Sequence, residues 1–299
     1  MANGKKLSND TISYLILTVS VIGLSFAGPL VKKSEEAMPF ALGFIRLGLG
    51  SLLVMPFGRP WEALKHWRSM GWAALSGFSF FLHLTAWFIC LRLVSIAIAT
   101  TMLALLPVVV MLLEFVFLGK KPLAVQLLGI GISVVGTILI VFNNLGQPSQ
   151  LLGILLMIGA LIAGGFYLFF SMKAQEKLSS WQTVSIIYPS TCLSFGVMVL
   201  ITGQPITGLT ANTYWWILSL AIIPTFFGHA LLNMSCKRLS PVVATTATLA
   251  EPFIASIVAW FWFGQSISVL AAIGAIIVLV GIFITLKNSK KLPQVDTSC

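Results

Sequence analysis

FLHLTAWFICLRL, residues 81–93, and FGHALLNMSCKRL, residues 227–239, are the two stretches on which the reading of this chain turns. Phe81, His83, Cys90, Arg92 and Leu93 recur as Phe227, His229, Cys236, Arg238 and Leu239, each 146 positions later. One residue is then lost. ATT at 99–101 recurs at 244–246, and the new separation of 145 also joins Pro107 to Pro252, Gly119 to Gly264, Gly129 to Gly274 and Gly136 to Gly281. Composition bias scatters chance matches. A nearly fixed separation across His, Cys, Arg and Pro marks a duplication.

Both copies lie in strongly apolar surroundings. Of 299 residues, 58% are hydrophobic and 9% charged, against about 25% charged in a soluble domain. The chain is therefore expected to be an all-α polytopic membrane protein. Ten apolar runs read as spanning helices, near 12–31, 39–57, 71–91, 94–118, 123–142, 151–171, 183–201, 213–235, 241–263 and 268–286. The first is too long for a signal-peptide core and lacks a cleavage site, so it reads as a span that stays. The net charge of +10 would suggest nucleic acid in a soluble protein. Here the basic residues fall between apolar runs and form no binding face, so no nucleic-acid partner is expected. Cys90, Cys192, Cys236 and Cys299 show no CxxC spacing and read as small side chains.

Lysine and arginine set the direction. With the N-terminus inside, the inner segments hold Lys5, Lys6, Arg59, Lys65, Arg68, Lys120, Lys121, Lys173, Lys177, Lys237, Arg238, Lys287, Lys290 and Lys291, 14 of 18. Lys32, Lys33 and Arg92 fall outside, and Arg46 lies within a span. Both termini are thus expected in the cytoplasm. Five spans per copy is an odd number, so the second copy enters the membrane from the opposite side. The expected architecture is two inverted five-helix repeats, residues 1–148 and 149–299. Folds of this kind hold their substrate near the midplane at the repeat interface, and interrupted helices at matching positions point to it. Pro107 and Pro252, each midway along its span, are such a pair.

The chain resembles the drug/metabolite transporter superfamily, of the EamA type, over nearly all of residues 10–288. Residues 81–121 are similar to that family's third and fourth helices. LSPVVATTATLAEPFIASIVAWFWFGQSIS, 239–268, is similar to its ninth, where a Glu-Pro pair is common. The resemblance implies a central cavity lined mainly by helices 1, 3, 4, 6, 8 and 9, with helices 5 and 10 peripheral. It also implies a monomer or homodimer and, with no eukaryotic sorting signal present, a bacterial inner membrane. In relatives an acidic residue often follows the glycine ending helix 4 or 9. Lys120 and Gln265 stand there in this chain, a departure from that pattern.

Glu251, beside Pro252 in TLAEPFIA (248–255), is the foremost site candidate. A charge at the bilayer centre costs at least ~2.5 kcal/mol, and the adjacent proline frees a carbonyl one turn back. Glu251 could carry a proton, hold a substrate amine, or tie helices together as a neutral acid; Thr248 shares its face. Arg46 lies seven residues into its span, roughly 10 Å deep. It could pair with Glu251, grip a substrate carboxylate in two-pronged fashion, or serve as a structural tie. His83 and Trp87 share a helical face, as do His229 and Asn233 at the repeat-related positions, and both faces read as cavity lining. Thr100, Thr101, Thr245 and Thr246 either bond back to their own helices or contact substrate. Glu114 reads as reaching the surface beside Lys120, and WFWF at 260–263 as an interfacial belt. A His–His–Glu set has ligand types for a metal but no diagnostic spacing, so neither metal nor cofactor is expected.

The expected function is secondary transport of small organic solutes by alternating access, amino acids or related metabolites foremost, with proton-coupled export. Multidrug or cationic-compound efflux is the alternative, and a non-transporting receptor or scaffold a further one. No GxxxxGK[ST] loop exists, so ATP does not drive the chain directly. An enzyme would need a nucleophile or metal set with a positioned base, and no such cluster is legible.

Overall fold

The computed structural model describes residues 9–119, 121, 123–142, 148–239, 241–265 and 268–287. Lys5, Lys6, Lys120, Lys290, Lys291 and Cys299 lie outside the described residues, as do the side chains of Thr246 and Lys287. Among the described residues all regular structure is helical: α1 Asn9–Ser25, α2 Ala27–Lys33, α3 Pro39–Gly58, a 3-10 turn Pro60–His66, α4 Trp67–Leu93, α5 Ile96–Leu103, α6 Leu106–Leu118, α7 Ala124–Phe142, α8 Pro148–Gln175, α9 Ser180–Thr202, α10 Ala211–Leu220, a π-helical stretch Ala221–Ala230, α11 Leu231–Leu239, α12 Pro241–Ala247, a 3-10 turn Thr248–Ala250, α13 Glu251–Phe263 and α14 Val269–Lys287.

Among the described residues, seven helical segments are long and apolar enough to cross a membrane: Thr11–Lys33, Pro39–Gly58, Pro60–Leu93, Ile96–Leu118, Ser149–Gln175, Ser180–Thr202 and Ala211–Leu239. The other three expected spans hold shorter apolar helices, Ala124–Gly136, Thr248–Phe263 and Ala272–Gly281. The chain is an integral membrane protein.

Proline explains where the long segments break. It has no N–H to donate and its ring crowds the carbonyl four residues back. Pro107 crowds Leu103, where α5 ends, and Pro252 crowds Thr248, where the helix tightens into a 3-10 turn. Pro29 does the same to Ser25, the last residue of α1. Pro224 frees the carbonyl of Leu220, and the helix answers by widening into π geometry. The Thr225 hydroxyl donates to that carbonyl at 2.8 Å.

α4 is the central helix, packed along α8 and α9, and α9 in turn packs on α3. Phe80, Leu84, Phe88 and Leu91 on α4 are buried against Ile187, Tyr188 and Phe195 of α9 and neighbouring core residues. α1 crosses the π stretch and α11, tied there by the Ser20 hydroxyl donating to the Gly228 carbonyl at 2.8 Å. α7 and α14 pair with each other. They turn Leu127, Leu128, Val135, Ile276 and Phe283 outward, as peripheral, lipid-facing helices would. Glu114, read from the sequence as reaching the surface, is instead 5% exposed, because its face of α6 turns toward the interior beside Val110 and Leu113.

Candidate functional site

A cavity lies between the broken helices and α4. Leu24 and Ala27 line it from α1 and α2, and His83, Leu84 and Trp87 from α4. Leu103 and Leu106 flank the α5–α6 break, and Gly164, Tyr167 and Leu168 come from α8. His229, Leu232, Thr248 and Glu251 complete it. The empty space, with its open mouth, amounts to about 550 Å³. The wall is mostly apolar with a few convergent polar groups, the usual composition of a small-molecule site.

Glu251 is the first residue of α13. Its side chain is buried and faces the cavity. The 3-10 turn Thr248–Ala250 separates it from α12. Thr248, on that turn, lines the cavity while its hydroxyl donates to the Thr245 carbonyl at 2.7 Å.

His83 and His229 both line the space but are fixed differently. His83 Nδ1 lies 2.7 Å from the Ala160 carbonyl. A carbonyl only accepts, so this nitrogen carries the hydrogen and Nε2 is the acceptor. α8 comes close enough for that bond because position 164 has no side chain; a Cβ there would stand 2.8 Å from His83 Nδ1. His229 Nδ1 and Trp87 Nε1 are buried without a partner among the described groups. Phe80 separates the two imidazoles, stacked on His83 at 6.0 Å and edge-on to His229 at 4.8 Å.

The remaining sequence candidates fall elsewhere. Asn233 does not line the cavity: its side chain bonds Ser171 and Tyr167 of α8 and the His229 carbonyl. Thr101 is buried and bonds back to the Ala97 carbonyl at 2.7 Å. Pro107 and Pro252 stand at the helix breaks and shape the space without lining it. Arg46 is wholly buried, yet its Nε donates to the Thr225 hydroxyl at 2.8 Å and its Cζ lies 5.8 Å from the Phe88 ring centre. No ion pair joins it to Glu251 among the described residues, and its Nη1 and Nη2 have no partner there. Gln265 Oε1 accepts from Ile96 N at 3.2 Å, capping α5.

Sequence reasoning missed Tyr167 and the close approach of α8. The one legible signal was the glycine pair in AGGFYLFF, 163–170. Gly164 leaves the room in which His83 is seated.

A bundle of apolar helices around a mostly apolar cavity defines a polytopic membrane protein. Residues 11–142 and 151–287 each match the EamA-like transporter family, and the chain belongs to that family, as the sequence resemblance implied. It is 22% identical to an uncharacterized transporter of Clostridium kluyveri over 93% of this chain and 94% of that protein. It is also 22% identical to the uncharacterized transporter YdfC of Bacillus subtilis over 97% and 96%. A solved structure titled only "Crystal structure of protein" shares the fold with a TM-score of 0.68, at 15% identity over 95% of this chain and 99% of that one.

Proposed function

We propose that this transporter moves small amine-bearing organic solutes by alternating access, with protons and solute exchanging at Glu251. The observation that carries the reading is the Glu251 carboxyl: buried, set at a helix break, facing the cavity, and joined to no described residue by hydrogen bond or ion pair. An unpaired charge at that depth is costly, and a proton or an ammonium group relieves the cost. An amino acid would meet Glu251 through its amino group, but among the described residues no lysine or arginine lines the cavity for its carboxylate. An organic cation with an apolar body needs no such partner. That favours the cationic class alongside amino acids and related metabolites.

The reading includes ten spanning helices arranged as inverted repeats, 1–148 and 149–299, with both termini cytoplasmic in a bacterial inner membrane. Support comes from paired local events. Both proline-bearing spans break just before the proline, and both end on a left-handed glycine, Gly119 at φ 66° and Gly264 at φ 62°.

A thermal-stability screen of the purified protein tests the site. Amino acids, polyamines, quaternary amines, sugars and nucleotides are added to wild type and Glu251→Gln. A cognate ligand at a hundred times its Kd stabilises by ~2.7 kcal/mol. The expected result is stabilisation by an amine in wild type and its loss in the variant. Stabilisation by sugars or nucleotides alone, equal in both proteins, would overturn the proposal.

A further inference from the structure

On the face carrying residues 34–38, a cation is enclosed by rings. Lys33, the last residue of α2, places its Nζ 5.2 Å from the ring centre of Phe263, 5.9 Å from Trp262 and 6.0 Å from Trp216. Trp262 is braced in turn by Phe26 at 6.4 Å and by Trp216 at 5.8 Å. The nearby acids are engaged elsewhere: Glu35 pairs with Lys32 at 2.8 Å, and Glu36 accepts from Thr210 and Thr213. The ammonium is therefore held by aromatic faces, which attract cations through their quadrupole. WFWF, read from the sequence as an interfacial belt, splits in two. Trp260 and Phe261 are 60% and 72% exposed and face outward, while Trp262, 37% exposed, and Phe263 turn a face to the Lys33 ammonium.

The position matters as much as the chemistry. Ala27 lines the cavity and lies six residues before Lys33, about 9 Å along a helix. Glu251 lies eleven residues before Trp262, about 16 Å on the same rise. The cage thus stands at one end of the two segments that flank the cavity. It joins α2, from the first half of the chain, to α10 and α13, from the second.

We propose that Lys33 is a latch: its ammonium, held between the rings of α10 and α13, closes the cavity toward this face and must leave the cage for that side to open. The proposal rests on the transporter reading above. A cation–π contact suits a joint that is broken in every cycle, because parting it leaves no buried unpaired carboxylate behind. An amine-bearing solute leaving by this side would compete for the same rings.

The test is accessibility. Leu103→Cys places a thiol on the cavity wall of a chain whose Cys90, Cys192, Cys236 and Cys299 are changed to alanine. A membrane-impermeant maleimide is applied to vesicles of each orientation. Lys33→Met, which keeps the stem and removes the charge, is expected to speed labelling from one side by about tenfold, the scale of a partly desolvated cation–π contact. Trp262→Leu should do the same, the two together no more than either, and Lys33→Arg should stay near wild type. Wild-type labelling of Lys33→Met from both sides, or effects of the pair that multiply, would overturn the latch. Faster labelling in a protein that moves no solute would leave the latch standing and remove the transporter reading. Solute flux with unchanged labelling would do the reverse.

Discussion

At the scale of single residues, Glu251 and Arg46 divide the work differently from what their types suggest. Glu251 opens on the cavity, so Glu251→Gln is expected to abolish pH-dependent solute flux in proteoliposomes between about pH 5 and 8 while the protein stays folded, the expectation for a proton carrier. Flux at the wild-type rate across that range would make the carboxyl structural. Arg46 depends on one hydroxyl, since Thr225 both accepts from its Nε and donates to the Leu220 carbonyl. Thr225→Val should cost about 2–3 kcal/mol by leaving a buried charge unsatisfied, and Thr225→Ser much less. Melting the two variants in detergent separates them. Glu251, His83, Trp87, His229 and Thr248 were all singled out in the sequence, and the fold brings them to one cavity. Arg46 was singled out too, but its partner lies 179 positions away on a helix of unusual pitch. No local pattern announces that pairing. Asn233 looked like lining because it follows His229 by one turn, and only packing against α8 decides that it ties two helices instead.

At the scale of elements, the breaks were legible and the widening was not. Pro107 and Pro252 announce interruptions because the missing N–H is a property of the residue itself. Pro224 carries the same deficit, yet the helix stays continuous by taking π geometry, an outcome set by Thr225 and by α1 lying across the stretch. The glycines at 136 and 281, matched in the repeat, are where α7 and α14 meet. A Cβ at position 281 would stand 2.4 Å from Ser133 Oγ and 2.5 Å from the Gly129 carbonyl. Gly281→Val should therefore pry this pair apart and destabilise by about 1–3 kcal/mol, the usual cost of overpacking. Because neither helix lines the cavity, ligand affinity should hold while the melting temperature falls. A loss of affinity equal to the loss of stability would contradict that separation.

At the scale of the whole molecule, the membrane-spanning, all-helical class was legible, since composition and apolar runs are counts along the chain. How the halves are fastened across their loops was not legible, because each tie joins residues far apart. Glu36 receives bonds from Thr213 and from the side chain and backbone N–H of Thr210, and these hold its carboxyl below the usual carboxylate range. A depressed native value means that the stabilisation is present above the unfolded value near 4.5 and is lost as pH falls through the native one. Thermal stability should therefore drop more steeply in acid for wild type than for Glu36→Gln, and parallel pH profiles would refute it. Two neighbouring ties have the same form but another chemistry: Gln204 accepts from Phe40 N and Ala41 N at the start of α3, and Gln265 from Ile96 N at the start of α5. Neither amide takes up a proton in that range. Acid therefore undoes this face at one corner only. α10, which carries Trp216 of the cage around Lys33, loses a tie of a kind that α3 and α5 keep, so acidity on that one side is expected to slacken a single wall of the cage.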